Sequence, residues 1–412
     1  MLYLFNIQYV RLLVCLIMLV LTGSAHAEKN IINFAVLAHS EQQEAVLRQQ
    51  ILLFERLNPH IRVRLRMLDG KNYPELLSNY KKVANSVDVL NWYSGNRLKQ
   101  LINEHYITSI DEFWYQNNLQ ALFSDATIEQ VSYQERIFAV PFSMYVWDIY
   151  YKKSVFEKFG LTAPTTWQEF LHIANTLKHH GISPIGLGSE PPWQVAAWFD
   201  YLMLRINGAH LYKKLISGEL SFTSQEVVAV FTHWKNLIEQ DFFINNHRQF
   251  DGEEIMPLLY REEIGMNLSG SFSLSGMPNY VQKSVGLFPF PQVGKNKDHS
   301  ILAPMSALML TAQGRAKPES KTLLAFFSQY KTQRMINDAM ATMSPILYQD
   351  DVHSKLINEI HSAEHIFQFL DREMPFEMAE FSKRTMADFL KHQNIKKVTE
   401  SLEAFRLQQQ KH

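Results

Sequence analysis

Cysteine is almost missing from this sequence: its 412 residues hold one, Cys15, inside an apolar stretch near the N-terminus. No disulfide framework, thiolate metal site or cysteine nucleophile is expected downstream of it. An excess of charge of one sign is missing too, since 40 Lys and Arg face 41 Asp and Glu for a formal net charge of -1. That balance argues against the basic footprint of a nucleic-acid binder and against a polybasic membrane surface. The chain has no G-x-x-x-x-G-K phosphate loop and no G-x-S-x-G elbow, so neither nucleotide hydrolysis nor a serine-hydrolase site is indicated. His179-His180 lacks a third ligand at a useful spacing. Glu253-Glu254 and Glu262-Glu263 read as solvated faces rather than as a glycosidase pair, which needs facing carboxylates. No cofactor, no metal and no enzymatic activity are therefore expected. Internal repeats and low-complexity linkers are absent as well, which favours two lobes joined by crossing strands over beads on a string.

What is present begins with an export pattern. Arg11 precedes the apolar run Leu12 to Leu21, which is short for a membrane span, and Ala25-His26-Ala27 offers small residues for cleavage before Glu28. Val14 stands where a lipoprotein site at Cys15 would need a small residue. Residues 1–27 are expected to be a signal peptide of Gram-negative type, leaving a soluble periplasmic protein. About 385 residues then remain, enough for two domains. A composition of 46% hydrophobic and 20% charged residues is that of a globular chain, and 12% aromatic residues is on the rich side.

Ile31 to Ala38 suits a buried parallel strand, and Glu41 to Asn58 places Leu47, Ile51 and Phe54 at helical spacing before Pro59. Ile61 to Met67 alternates strictly, with Arg62, Arg64 and Arg66 on one face; this reads as a solvated edge strand rather than an anion site. Strand, helix, strand in that order implies a βαβ unit and a mostly parallel sheet. Val87 to Leu90 repeats the strand signal, with a helix from Asn96 to Glu104 after it. Phe138 to Pro141 reads as a strand ending at its proline. Thr166-Trp167-Gln168-Glu169 is a capping box opening a helix to His179. Helices are expected over Trp193 to Leu215, Ser224 to Glu239, Pro318 to Asp338 and most of Ala363 to Gln409. Strands are expected at Ile264 to Leu268 and from Ala303-Pro304 to Leu310.

From Phe138 to Phe243 the chain resembles the carbohydrate-binding branch of the family 1 extracellular solute-binding proteins of ABC importers. The resemblance rests on Pro141-Phe142 with Tyr145 and Trp147, on Tyr150 through Leu161, and on Pro164 through Phe170. It continues in Gly181-Ile182-Ser183-Pro184-Ile185, Trp198 through Leu202 and Leu204 through Gly208. Gly265-Met266, Ser269 through Phe272, Phe288 through Pro291 and Asp371 through Pro375 extend it along the chain. It departs at Lys152, where Asn or Arg is common, and at Leu370, where an aromatic is familiar. The resemblance implies an α/β, two-lobed periplasmic-binding-protein fold of type II, maltose-binding-protein-like, with a hinge and an interlobe cleft. Mapped by element order, residues 28–140 plus 300–343 form the N-terminal lobe and 141–299 plus 344–412 the C-terminal lobe. It also implies capture of a mono- or oligosaccharide by a monomer and delivery to the membrane permease of an ABC importer. The alternative is a clamshell that reports sugar to a membrane sensor kinase, cyclase or chemoreceptor.

The residues themselves suit a sugar, which needs flat aromatic platforms for its C–H faces and polar groups for each desolvated hydroxyl. Candidate platforms are Trp92, Tyr93, Tyr145, Trp147, Trp193 and Trp198, with Trp92, Tyr145 and Trp193 foremost. Ser94, Gly95 and Asn96 follow a strand directly, where open α/β sheets bind ligands. Asp371, Arg372 and Asn91 are candidates for bidentate bonds to hydroxyls. Trp167 and Trp234 are expected to be structural, and Asp200 and Arg205 to form a buried ion pair.

Overall fold

A computed structural model of the chain describes residues 29–38, 41–69, 75, 79–274, 277–294, 298–340, 342–347 and 354–410. The export pattern and the cleavage point before Glu28 lie outside the described residues. The expected opening unit is present: β1 (Asn30–Ala38), α1 (Glu41–Leu57) and β2 (Ile61–Asp69), with β1 and β2 parallel from Asn30↔Ile61 to Ala38↔Asp69. Leu47, Ile51 and Phe54 of α1 are buried, as their spacing predicts. β2 is an outer strand with Arg62, Arg64 and Arg66 exposed, and Arg62 pairs with Glu55 at 2.6 Å. β3 (Val89–Tyr93) lies parallel to β1, and α2 (Asn96–Asn103) follows it.

β4 (Ala139–Met144) does not stop at Pro141. It is the outer strand of the first sheet, so the missing N–H of Pro141 need not interrupt the ladder, and the register shifts there instead. On the open side Gln333 and Asn337 donate to the carbonyls of Pro141 and Phe142, each at 2.9 Å. β5 (Trp147–Lys152) opens the second sheet. α3 (Trp167–His179) carries the expected capping box: Glu169 N–H donates to Thr166 Oγ1 at 3.3 Å and Thr166 N–H to Glu169 Oε2 at 3.0 Å. β6 (Ser183–Gly186), α4 (Trp193–Ile216), α5 (Gln225–Glu239) and β7 (Ile264–Gly270) follow. α4 breaks at Gly208, whose φ of 80° is one that glycine tolerates, and Ala209 N–H there donates to Asp298.

β8 (Val285–Phe288), β9 (Ser300–Leu302) and β10 (Met305–Leu310) come next, then α6 (Pro318–Phe327) and α7 (Tyr330–Met340) where one helix was expected. α8 (Ser354–Ser362), β11 (His365–Phe367), α9 (Leu370–Glu373), α10 (Phe376–His392) and α11 (Ile395–Gln409) complete the order. β11 falls within the stretch read as helical, because only three residues long it leaves no periodicity to detect. The first sheet is mixed, in the order β2-β1-β3-β10-β4 with β10 antiparallel to both neighbours. The second runs β8-β5-β7-β6.

The buried apolar side chains separate into two large clusters. One gathers residues from Ile32 to Val146 and from Ile301 to Ile346; the other gathers Trp147 to Val293 and Phe367 to Leu402. Leu356, Ile357, Ile360 and Ile366 pack into the first cluster, although 344–412 was expected in the second lobe. The chain passes between clusters at Val146–Trp147, again around β9, and again at Ile366–Phe367. β9 and β11 pair in parallel at that crossing, from Ser300↔His365 to Leu302↔Phe367. The result is a two-lobed fold of the expected class. Among the described residues no helix is long and apolar enough to cross a membrane.

Candidate functional site

Five aromatic side chains meet at the start of the second sheet. Trp147, the first residue of β5, pairs with Gly270 at the end of β7. A Cβ at Gly270 would lie 2.3 Å from Phe272 and 2.9 Å from Trp147 Nε1, so glycine is what lets these rings approach. Around Trp147 stand Trp193 at 5.6 Å, Phe272 at 5.9 Å and Phe369 at 4.7 Å, all near edge-to-face. Tyr145 meets Phe272 edge-on at 5.4 Å. Trp193 lies against Gly252, where a Cβ would come within 2.2 Å of its ring. Its neighbour Gln194 is fully buried and ties the loop to β7: it accepts from Gly188 N–H at 2.7 Å and donates to Asn267 and Leu268. Trp147 Nε1 is buried and has no hydrogen-bond partner among the described residues. A buried donor left this way carries a desolvation cost that a ligand oxygen would relieve. Tyr145, Trp193 and Phe272 stay partly exposed.

The end of β3 presents a different picture. Trp92, expected as a platform, is 1% exposed and is a side chain of the first core beside Tyr93. Ser94 and Asn96, expected to offer polar groups to a ligand, are held by the segment 368–374. Gln368 donates to Ser94 Oγ at 2.6 Å, Asn96 N–H donates to Glu373 Oε2 at 2.9 Å, and Asn96 Nδ2 to the Glu373 carbonyl at 3.1 Å. Arg97 adds a 2.7 Å bond to the Met374 carbonyl. Gly95 sits at a φ of 67°, and a Cβ there would lie 2.3 Å from Glu373 Oε1, so this contact requires glycine. Burial pushes the Glu373 carboxyl up to about 7, against the opposing pull of Asn96 N–H, Lys99 and Arg97.

Arg372 lies over the Tyr93 ring at 4.4 Å, a cation–π contact. Asp371 faces Lys383 at 3.8 Å. Asn91 is taken up inside the fold, accepting from Leu37 N–H and donating to Ser306 and Ala307. Phe369 and Arg372 share one short turn, where Arg372 N–H donates to the Phe369 carbonyl at 2.8 Å. The segment 368–374 thus joins the Tyr93 edge of the first lobe to the aromatic cluster of the second.

Phe272, Phe369, Gln368 and Glu373 were missed in the sequence. Phe272 closes the Ser-Gly-Ser-Phe run, and Phe369 stands one residue before the position where an aromatic was familiar; those were the available signals. Trp198, read as a platform, is 1% exposed and packs on Phe243 and Phe290. Trp167 and Trp234 are buried structural side chains, as expected. Asp200 and Arg205 do not form the expected pair. Asp200 accepts from Leu370 N–H at 3.1 Å, whereas Arg205 donates to the Phe290 and Ser300 carbonyls and has Asp148 and Glu359 as its charged neighbours. Glu253, Glu254, Glu262 and Glu263 are exposed. No group of three or more His, Cys, Asp or Glu among the described residues is placed to hold a metal ion.

A family model described as bacterial extracellular solute-binding protein matches residues 37–334. An ABC transporter extracellular-binding protein of Pyrococcus horikoshii, itself uncharacterized, is 22% identical over 76% of this chain and 72% of its own. The multiple sugar-binding protein of Streptococcus mutans is 23% identical over 67% of this chain and 66% of its own. Among solved structures, the bacterial solute receptor AcbH, with a preference for β-D-galactopyranose, superimposes with a TM-score of 0.81. It is 21% identical, covering 92% of this chain and 97% of that one. A chitin oligosaccharide binding protein superimposes at 0.78 with 17% identity, covering 92% of this chain and 99% of that one.

Proposed function

Because this chain belongs to the bacterial extracellular solute-binding protein family, we propose that it captures a carbohydrate between its lobes and delivers it to the permease of an ABC transporter. One observation carries the sugar reading: the cluster of Tyr145, Trp147, Trp193, Phe272 and Phe369, with the orphaned Trp147 N–H at its centre. Aromatic edges and faces suit the C–H face of a pyranose, and a lone buried donor suits one of its hydroxyls. Tyr93 at the end of β3 and Asp371 and Arg372 of the segment 368–374 border the same region, and Ser94 and Asn96 hold that segment in place. Solved relatives of the same fold are described as binding β-D-galactopyranose, chitin oligosaccharide and raffinose, and curated relatives as components of transporters. That supports a sugar over other solutes and transport over sensing. The family works by binding, and we assign no catalytic step. The export pattern at residues 1–27 supports a periplasmic location after cleavage, with the protein acting as a monomer.

The test is a thermal-unfolding screen against D-galactose, raffinose, xylo-oligosaccharides and chito-oligosaccharides. A ligand that binds only the folded state adds about 2.7 kcal/mol at a hundred times its Kd, which raises Tm by several degrees. A shift with one sugar class names the ligand. No shift with any of them, on protein freed of co-purified ligand by unfolding and refolding, overturns the carbohydrate reading.

A further inference from the structure

Phe369 reaches the aromatic cluster from the last crossing between the lobes, carried by the single helical turn α9. Its ring lies nearer to Trp147 than that of Trp193 or Phe272 does. The turn is closed by its own backbone. The Phe369 carbonyl accepts from Arg372 N–H at 2.8 Å and from Glu373 N–H at 3.1 Å, and Met374 N–H donates to the Leu370 carbonyl at 2.9 Å. A turn closed in this way moves as one piece, so whatever fixes Glu373 also fixes Phe369.

The first lobe grips this turn at both ends. Ahead of it, Gln368 Nε2 donates to Ser94 Oγ at 2.6 Å and to the Met305 carbonyl at 2.9 Å, bridging the end of β3 and the start of β10. Behind it, Glu373 Oε2 accepts from Asn96 N–H at 2.9 Å, and the Met374 carbonyl accepts from Arg97 at 2.7 Å. Gln368 and Glu373 are both buried, so these bonds are made out of reach of bulk water, where they are stronger. The second lobe holds the middle. Leu370 N–H donates to Asp200 at 3.1 Å, the Tyr212 hydroxyl donates to the Gln368 carbonyl at 3.2 Å, and Leu370 and Met374 pack in the second core. Phe369 thus stands between two first-lobe contacts while its ring serves the second lobe.

We propose that Gln368 and Glu373 are positioning residues: by binding the first lobe they set Phe369 against Trp147, so that the aromatic site of the second lobe is complete only while the first lobe grips the turn. A change at Ser94 in the first lobe therefore alters the ring cluster, and with it the affinity for carbohydrate. The effect on the rings rests on the fold alone. The effect on affinity rests on the carbohydrate reading, and the two are measured separately.

The experiment is fluorine NMR on protein labelled with 5-fluorotryptophan and free of sugar, the Trp147 resonance being identified by its absence in Trp147→Phe. That resonance is expected to shift in Ser94→Ala and in Glu373→Ala, and to return to the wild-type position in Glu373→Gln, whose amide carbonyl still accepts from Asn96. In Leu47→Ala, a truncation in the first core away from the turn, Tm is expected to fall while the resonance stays in place. Ser94→Ala deletes one oxygen and carries the same test should Glu373→Ala fold poorly. D-galactose, raffinose, xylo-oligosaccharides and chito-oligosaccharides are then titrated into each protein. Whichever stabilises the wild type is expected to bind the two shifted variants about twofold to about tenfold more weakly, the worth of one aromatic pair. A Trp147 resonance unmoved in the folded alanine variants, or moved as far by Leu47→Ala, overturns the positioning role. A moved resonance with unchanged sugar affinity overturns the part of the turn in binding. Should none of the sugars bind the wild type, the carbohydrate reading fails and the fluorine shifts still decide the positioning role.

Discussion

The two tryptophans foremost in the sequence, Trp92 and Trp193, separate once their surroundings are known. Trp193 is partly exposed, anchored by Gly252 beneath its ring and by Gln194 beside it. Trp193→Ala is expected to weaken sugar binding roughly tenfold or more, about 1.4 kcal/mol, with little change in Tm. Isothermal titration and a melting curve on one preparation check both halves. Trp92→Ala removes a ring from the first core and is expected to destabilise the fold by about 3–5 kcal/mol, read by urea denaturation. The sharpest residue-scale test is Trp147→Phe, which keeps an aromatic ring and deletes the orphaned donor. It is expected to reduce affinity while leaving stability equal or higher, since no protein acceptor loses a partner. A variant with wild-type affinity would remove Trp147 from the site.

At the scale of elements, local chemistry and tertiary context divide the credit. The capping box at Thr166 was legible because it is four residues long and needs only itself. Thr166→Ala is expected to cost about 1 kcal/mol of stability, measured by urea denaturation. Backbone N–H groups of Thr165 and Thr166 also hold the exposed Glu169 carboxyl down to about 2, which a proton titration by NMR would report. The parallel β1-α1-β2 unit was legible for a similar reason, its periodicities being long and clean. Pro141 misled because a proline stops a strand only where its missing N–H faces a partner, and sheet position is invisible in one sequence. Ser94 and Asn96 were placed correctly at a strand end. Their partners, Gln368 and Glu373, lie some 270 residues away, and no local pattern links them. The Asp200–Arg205 expectation failed on direction: five residues apart on a helix, the two side chains serve different neighbours.

The whole molecule carries buried carboxyls that bind protons more tightly folded than unfolded. Glu373 sits near 7, Asp148 is raised to about 6, and Glu359 is raised as well. Such groups contribute stability that is fully present below the ordinary carboxyl range and is lost as pH rises through the folded values. Tm is therefore expected to fall between about pH 5 and about pH 8, with a shallower decline in Glu373→Gln, where the amide carbonyl still accepts from Asn96. Small-angle scattering should show a smaller radius of gyration when the ligand found in the sugar screen is added, if the lobes close on it. The strand order has a further consequence, for the birth of the protein. β10 lies between β3 and β4, yet it follows them by more than 150 residues, and β11 must return later still to pair with β9. A chain emerging N-terminus first cannot assemble its first lobe until nearly all of it has been delivered. Until β10 arrives, β3 and β4 have no strand between them, and the first core stays incomplete while the stretch from Trp147 to Val293 already holds most of the second.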